Sequence, residues 1–251
     1  MSKQRTKLMK ILLTGGSGML GTAIRNSGIF SDILAPSHEE IDIKNYSDVR
    51  EYIKKTKLHG IIHCAAISKR ASCENDPDSA IHTNMIGTAN LVRAVTAEKK
   101  NLRFLYISTD AVYGGGEGKY KEDGPTIPSD NYGWTKLGGE CATRTLLNSC
   151  IVRTSFFDPK NIPFESASDT VFFSKLPIND LVGYLFQIYA SNLKGVINVG
   201  QEKISAYQLY HKYKSSIKKI TPKMLQEEGS VSIAKDLSLD ISCFKNLHCD
   251  K

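Results

Sequence analysis

The chain has 251 residues, 41% of them hydrophobic, with a formal net charge of +7 and a pI near 9.0. That size suits one large globular core with a smaller appendage, and no run approaches the ~20 apolar residues of a membrane helix or the apolar core of a secretory leader, so a cytoplasmic protein with no membrane partner is expected. The 33 Lys and Arg are dispersed without interleaved aromatics, which points away from nucleic acid and toward a small anionic ligand; six cysteines without Cys-x-x-Cys spacing suggest free thiols and no metal site.

After a basic tail over residues 3–7, Lys10-Ile11-Leu12-Leu13-Thr14 is a short apolar run ending in glycines. It predicts a buried first strand followed by a helix over 19–26. The connection, Thr14-Gly15-Gly16-Ser17-Gly18-Met19-Leu20-Gly21, fits Gly-x-Gly-x-x-Gly from Gly16 and Gly-x-x-Gly-x-x-Gly from Gly15. Between strand and helix, such spacing lets a dinucleotide pyrophosphate approach the backbone N–H groups of the helix start, although a tight turn alone would also use these glycines. Gly15, Ser17, Gly18, Met19, Leu20 and Gly21 are therefore cofactor-binding candidates.

A weak second strand over 33–35 ends in Ala35-Pro36-Ser37-His38. A carboxylate there would hold the adenosine ribose 2′-hydroxyl and repel a 2′-phosphate. Its absence favours NADP(H), with Ser37 and His38 as phosphate donors, while Glu39 and Glu40 follow closely enough to keep NAD(H) open. Asp42, in Ile41-Asp42-Ile43, is a candidate for the adenine edge or equally for a loop cap, and Ile43 is grouped with it.

Helical spacing over 49–55 leads to a third strand over 60–65, a long helix over 80–97 and a fourth strand over 103–108 ending in Ser108-Thr109-Asp110. Gly114, Gly115, Gly116 and Gly118 suggest a flexible turn near the site. A helix over 132–147, strands over 150–153 and 195–199, and an intervening helix over 179–190 complete the repeat. Alternation of this kind predicts an α/β fold, a doubly wound parallel (Rossmann) sheet with a small C-terminal substrate lobe. Residues 1–154 would form the dinucleotide-binding domain and 155–251 the lobe, which includes a basic helix over 206–220, with 178–200 returning to the sheet.

Tyr132-Gly133-Trp134-Thr135-Lys136 carries the chemistry. A spacing of four puts phenol and ammonium on one helix face, where the lysine charge is expected to draw the tyrosine pKa down from ~10. Such a tyrosine exchanges a proton with a carbonyl or alcohol oxygen while a nicotinamide carries the hydride. The pair also occurs on solvated helix faces, so its weight comes from the glycine loop and Ser-Thr-Asp upstream.

With these motifs, and with His63-Cys64-Ala65-Ala66, Asn84-x-x-Gly87, Glu140 and Ile151-Val152-Arg153-Thr154-Ser155, the chain resembles the extended short-chain dehydrogenase/reductases. Within them it is most similar to the dTDP-4-dehydrorhamnose reductases over residues 10–157, with a looser match over 178–239. The resemblance implies Tyr132 as general acid, Thr109 as hydrogen-bond partner of the same substrate oxygen and Lys136 as the group that tunes Tyr132 and holds the nicotinamide ribose. It also implies that Gly15, Gly18 and Gly21 cradle the pyrophosphate and that Cys64, Ala65 and Ala66 line the cofactor. Ala111 stands where sugar-nucleotide 4,6-dehydratases carry a glutamate base, and Ser-Thr-Asp where epimerases usually carry Ser-Ser.

The implied activity is NAD(P)H-dependent reduction of a nucleotide-activated 4-keto-6-deoxy sugar in deoxysugar and polysaccharide precursor synthesis. A sugar-nucleotide epimerase and a non-catalytic NADP-binding regulatory subunit are the alternatives. After Phe157 the family usually runs through an extra helix, but here Pro159 to Pro163 leads quickly to Val171-Phe172-Phe173. The shortened wall suits a smaller substrate, a homodimer or partner enzyme completing the pocket, or cofactor binding without turnover. Lys203, Lys212, Lys218 and Lys219 are candidates for the substrate pyrophosphate, or simply solvated cations.

Overall fold

Six parallel strands form the spine of the computed structural model, which describes residues 9–220 and 234–249. They are β1 (Lys10–Thr14), β2 (Asp32–Leu34), β3 (Gly60–His63), β4 (Arg103–Ile107), β5 (Ser149–Thr154) and β10 (Gly195–Val199), in the order β10-β5-β4-β3-β1-β2. The order reverses at β1, which has β2 on one side and β3 on the other, so a crevice opens beyond the carboxyl ends of β1 and its neighbours.

Side chains alternate across the strands, and helices cover both faces, which is why the strand sequences are almost wholly apolar. Leu13, Ile62, Leu105 and Val152 pack under α1 (Met19–Ser27) and α7 (Ile178–Ala190) through Ile24, Leu181, Leu185 and Ile188. Leu12, Ile61, Phe104 and Ile151 pack on the other face under α2 (Tyr46–Lys55) and α5 (Gly87–Ala97) through Val49, Ile53, Leu91 and Val95.

Two short helices, α3 (Arg70–Asn75) and α4 (Pro77–Ala80), follow β3, and a π-helix (Ile81–Ile86) joins α4 to α5 within the predicted long helix. A 3-10 turn (Asp110–Val112) follows β4. The lobe consists of very short strands: β6 (Phe156–Phe157) with β9 (Leu176–Pro177), β7 (Ser166–Ser168) with β12 (Lys218–Ile220), and β8 (Phe172–Phe173) between β11 (Ile204–Ser205) and β13 (Asp236–Leu237). Phe157, Phe173, Leu209, Tyr210 and Ile217 form its core.

Three expectations change. The helix predicted over 132–147 is α6 (Asn131–Thr143), whose last turn is closed by Ser149 Oγ donating to the Thr143 and Leu146 carbonyls as the chain turns into β5. The basic helix predicted over 206–220 ends as α8 (Ala206–Tyr213), because Lys214 leaves helical space and residues 218–220 satisfy their backbone against β7. The glycine turn predicted to be flexible is pinned: Gly115 O accepts from Asp236 N at 2.9 Å, and a Cβ on Gly115 would lie 2.4 Å from that of Ala234.

A final helix, α9 (Ser242–Cys249), packs near β10. The basic tail over 3–7, and residues 221–233 and 250–251 of the predicted lobe, lie outside the described residues. Among those described, no helix is long and apolar enough to cross a membrane.

Candidate active site

The glycine loop is shaped first by its own packing. A Cβ on Gly15 (φ 72°) would sit 2.5 Å from Ala65 N, and one on Gly21 would sit 2.1 Å from Gly15 O, so both positions must stay bare for α1 to dock on the ends of β1 and β3. Gly18 differs: its nearest neighbour would be Gly15 O at 3.3 Å, and its open side faces the cleft. No side chain caps α1, so its first N–H groups remain available where the helix dipole favours an anion.

Two cavities meet at this loop. A cleft of about 370 Å³ is lined by Gly15, Gly18, Met19, Leu20, Gly21, Cys64 and Ala66 on one side and by Thr109, Tyr132 and Lys136 on the other. A second cavity, also about 370 Å³, is lined by Ser17, Ser37, His38, Asp42, Ile43 and Ala65. The catalytic candidates Thr109, Tyr132 and Lys136, the glycine-loop candidates, and those at 37–38, 42–43 and 64–66 thus each border one of the two.

Tyr132 reaches Thr109 because of the residue beside it. Gly133 presses α6 against the 3-10 turn so closely that a Cβ would lie 2.3 Å from Ala111 O. Asp130 caps the helix, its Oδ1 accepting from Gly133 N at 2.7 Å while Oδ2 pairs with Arg70 at 3.1 Å. Thr109 Oγ accepts from Ala111 N at 3.1 Å and donates to Asp110 Oδ1 at 3.2 Å.

The electrostatics reverse one expectation. Tyr132 is pushed up to about 12, chiefly by burial, with a Thr109 hydrogen bond opposing and the Asp110 carboxylate adding to the rise. Lys136 does not draw it down: its ammonium lies 4.1 Å over the Tyr106 ring and is itself lowered to about 7 by burial, against the pull of Cys64 and Glu140. Desolvation outweighs the lysine charge for the phenol.

Behind these residues lies a buried polar network. Ser108 Oγ donates to Glu140 at 2.5 Å, Glu140 pairs with Arg153 at 2.8 Å, and Arg153 Nη1 donates to Tyr113 Oη at 2.7 Å. Asn84 accepts from Ile67 N at 2.8 Å and donates to Thr135 Oγ at 2.9 Å, tying the loop after β3 to α6.

A family model described as RmlD substrate binding domain matches residues 9–161. The chain belongs to this family. Among curated proteins, it is 34% identical over 175 residues to dTDP-4-dehydrorhamnose reductase of Streptomyces griseus, covering 64% of this chain and 56% of that protein. It is 29% identical over 181 residues to methionine adenosyltransferase 2 subunit beta of Pongo abelii, covering 68% and 54%. The chain therefore spans about half the length of the curated relatives it matches. The crystal structure of dTDP-4-dehydrorhamnose reductase from Bacillus anthracis in complex with NADP superposes with a TM-score of 0.84 at 24% identity, over 96% of this chain and 93% of that one. At that identity the likeness establishes the fold.

Within this RmlD-type fold, sequence reasoning passed over three cations. Arg25 borders the second cavity beside Ser37 and His38, donating to Gly16 O at 3.3 Å. Its position four residues after Gly21, hence on one face of α1, was the available signal. Arg70 and Lys175 border the cleft. The four lysines predicted for a pyrophosphate do not: Lys203 pairs with Asp236, Lys219 with Asp169, Lys212 lies over the Tyr213 ring, and Lys218 is exposed in β12. Among the described residues, no group of three or more His, Cys, Asp or Glu is arranged to hold a metal.

Proposed function

We propose that this protein reduces the keto group of a nucleotide-activated 4-keto-6-deoxy sugar with NADPH, and with NADH less favourably, in the supply of deoxysugar and polysaccharide precursors. The observation that carries the reading is the convergence of Thr109, Tyr132 and Lys136 on the cleft floored by the uncapped start of α1. The reductase of Bacillus anthracis was crystallised with NADP, and the residues present here fit that cofactor. The open face of Gly18 and the free N–H groups of α1 suit a pyrophosphate. Arg25, Ser37 and His38 suit a 2′-phosphate, whereas Glu40, which accepts from Ser37 N at 2.7 Å, is the group on which NADH would rely.

Bound there, NADPH would supply the hydride. Tyr132, with its pKa pushed up, keeps its proton at neutral pH and is suited to donate it to the sugar oxygen as the alcohol forms. Thr109 would orient that oxygen, and Lys136 would hold ribose hydroxyls beneath it. Ala111 provides no carboxylate for dehydration. Among the described side chains, Cys64, Cys73, Cys141, Cys150 and Cys243 are free thiols, consistent with a cytoplasmic setting, and a homodimer is compatible with this chemistry.

A second reading, a dinucleotide-binding subunit acting through a partner enzyme, takes its support from the likeness to the subunit beta sequences. The test is NADPH oxidation, with NADH in parallel, against nucleoside-diphosphate 4-keto-6-deoxyhexoses. Tyr132→Phe is expected to lower turnover by roughly 10²-fold or more with NADPH affinity retained. Undiminished turnover in that variant overturns the assignment, and NADPH binding without any turnover favours the subunit reading.

A further inference from the structure

Arg70 and Lys175 approach the cleft from different parts of the chain, Arg70 from the first turn of α3 after β3 and Lys175 from the connection between β8 and β9. Both carry unspent donors. Arg70 engages one carboxylate oxygen of Asp130 through Nη1 at 3.1 Å and is otherwise half-exposed. Lys175 pairs with no carboxylate among the described residues; its Nζ donates to Tyr210 Oη at 3.2 Å and lies 4.9 Å from the Phe173 ring centroid. Aromatic faces hold an ammonium in place without neutralising it.

The two charges act on the same end of the cleft. Both favour the ionised form of buried Asp110, and Arg70 also favours that of Tyr132, so they lie by the reacting centre. Asp110 is already satisfied by Ser155 Oγ at 2.5 Å and by Thr109, and forms no ion pair with either cation among the described residues. Asp130 offsets only part of the Arg70 charge, and Asp110, which also lines the cleft, is engaged by hydroxyls, so the remaining donors of Arg70 and Lys175 suit an anionic ligand. The cofactor pyrophosphate has its own donors at α1.

We propose that Arg70 and Lys175 form a cationic clamp that holds the diphosphate of the substrate, one sugar ring away from the carbonyl that Tyr132 serves. This deepens the reductase reading and rests on it for the identity of the ligand. A pyranose places its anomeric oxygen across the ring from C4, so a phosphate there stays beside the reacting centre. The clamp does the work that the predicted lobe lysines do not.

The test is calorimetric titration of the NADP-saturated 251-residue chain with inorganic pyrophosphate and with thymidine diphosphate, so that the α1 site is already filled. Arg70→Met and Lys175→Met are each expected to weaken binding of both probes about tenfold, and the double variant further. Lys175→Arg should retain most of the affinity, and NADP affinity should be unchanged in all variants. Equal probe affinity in the parent and the double variant overturns the clamp, as does failure of the parent to bind either probe. If no keto sugar is turned over but probe binding still depends on both cations, the clamp stands and the reductase reading falls. Turnover of a keto sugar with probe binding indifferent to both substitutions keeps the reductase and removes the clamp.

Discussion

Tyr132 and Lys136 are both moved away from their ordinary ionisation by the same force, the loss of water around a buried charge, and the result is a phenol that keeps its proton and an ammonium poised near pH 7. An anionic dinucleotide would favour the charged form of Lys136. Since the group is lowered in the free protein, the bound state should carry more protons than the free state above pH 7. NADPH binding at pH 8 is therefore expected to take up a proton, and affinity to weaken as pH rises from 7 toward 9. Titrations in two buffers of different ionisation enthalpy measure the uptake, and Lys136→Met should abolish it; equal uptake in that variant places the proton elsewhere. The glycine spacing and the Tyr-Lys pair were readable because each is local in sequence. Arg25, Arg70 and Lys175 were not, because what matters about them is which cavity they border.

At the level of elements, the end of β3 shows how a buried polar residue can join three of them. His63 is fully buried. Thr88 Oγ donates to Asn84 O at 2.6 Å, so it accepts from His63 Nε2 at 2.9 Å, leaving Nδ1 to accept from Thr14 Oγ at 2.6 Å. The ring is thereby fixed in its neutral Nε2–H form, linking β1, β3 and α5, and burial lowers its pKa to about 3, with Lys136 adding to the effect. The unfolded chain would protonate His63 near 6.5, whereas the folded chain resists until about 3. Between those values the unfolded state binds more protons, so this contribution is fully present above 6.5 and is lost as pH falls toward 3. Urea unfolding at pH 7 and pH 5 should show His63→Asn losing less stability than the parent between the two. An identical loss in both proteins would assign the acid sensitivity to other groups.

For the molecule as a whole, what could be read from sequence divides along the line between local and distant pairing. The large sheet was legible because its central strands are apolar runs buried on both faces and flanked by helical periodicity, whereas the edge strand β2 is short and half-buried. The lobe was not, because its two- and three-residue strands have no periodicity of their own and find partners far along the chain, β8 lying between β11 and β13 and β12 beside β7. The Glu140–Arg153 network crosses the same boundary. It joins α6 to β5 and, through Tyr113 and Asn198, to β10, while Arg153 Nη1 also donates to Glu122 O at 3.1 Å. Both partners are almost completely buried, so the net contribution of the pair is offset by desolvation, but removing one partner leaves the other charge buried alone. Arg153→Met is expected to cost about 3–5 kcal/mol in urea unfolding, and Glu140→Gln a comparable amount. The double variant should cost clearly less than the two added together, because neither side then retains an unpaired charge. Strict additivity would mean that the ion pair is incidental and that the joint is held by the hydroxyls of Ser108 and Tyr113.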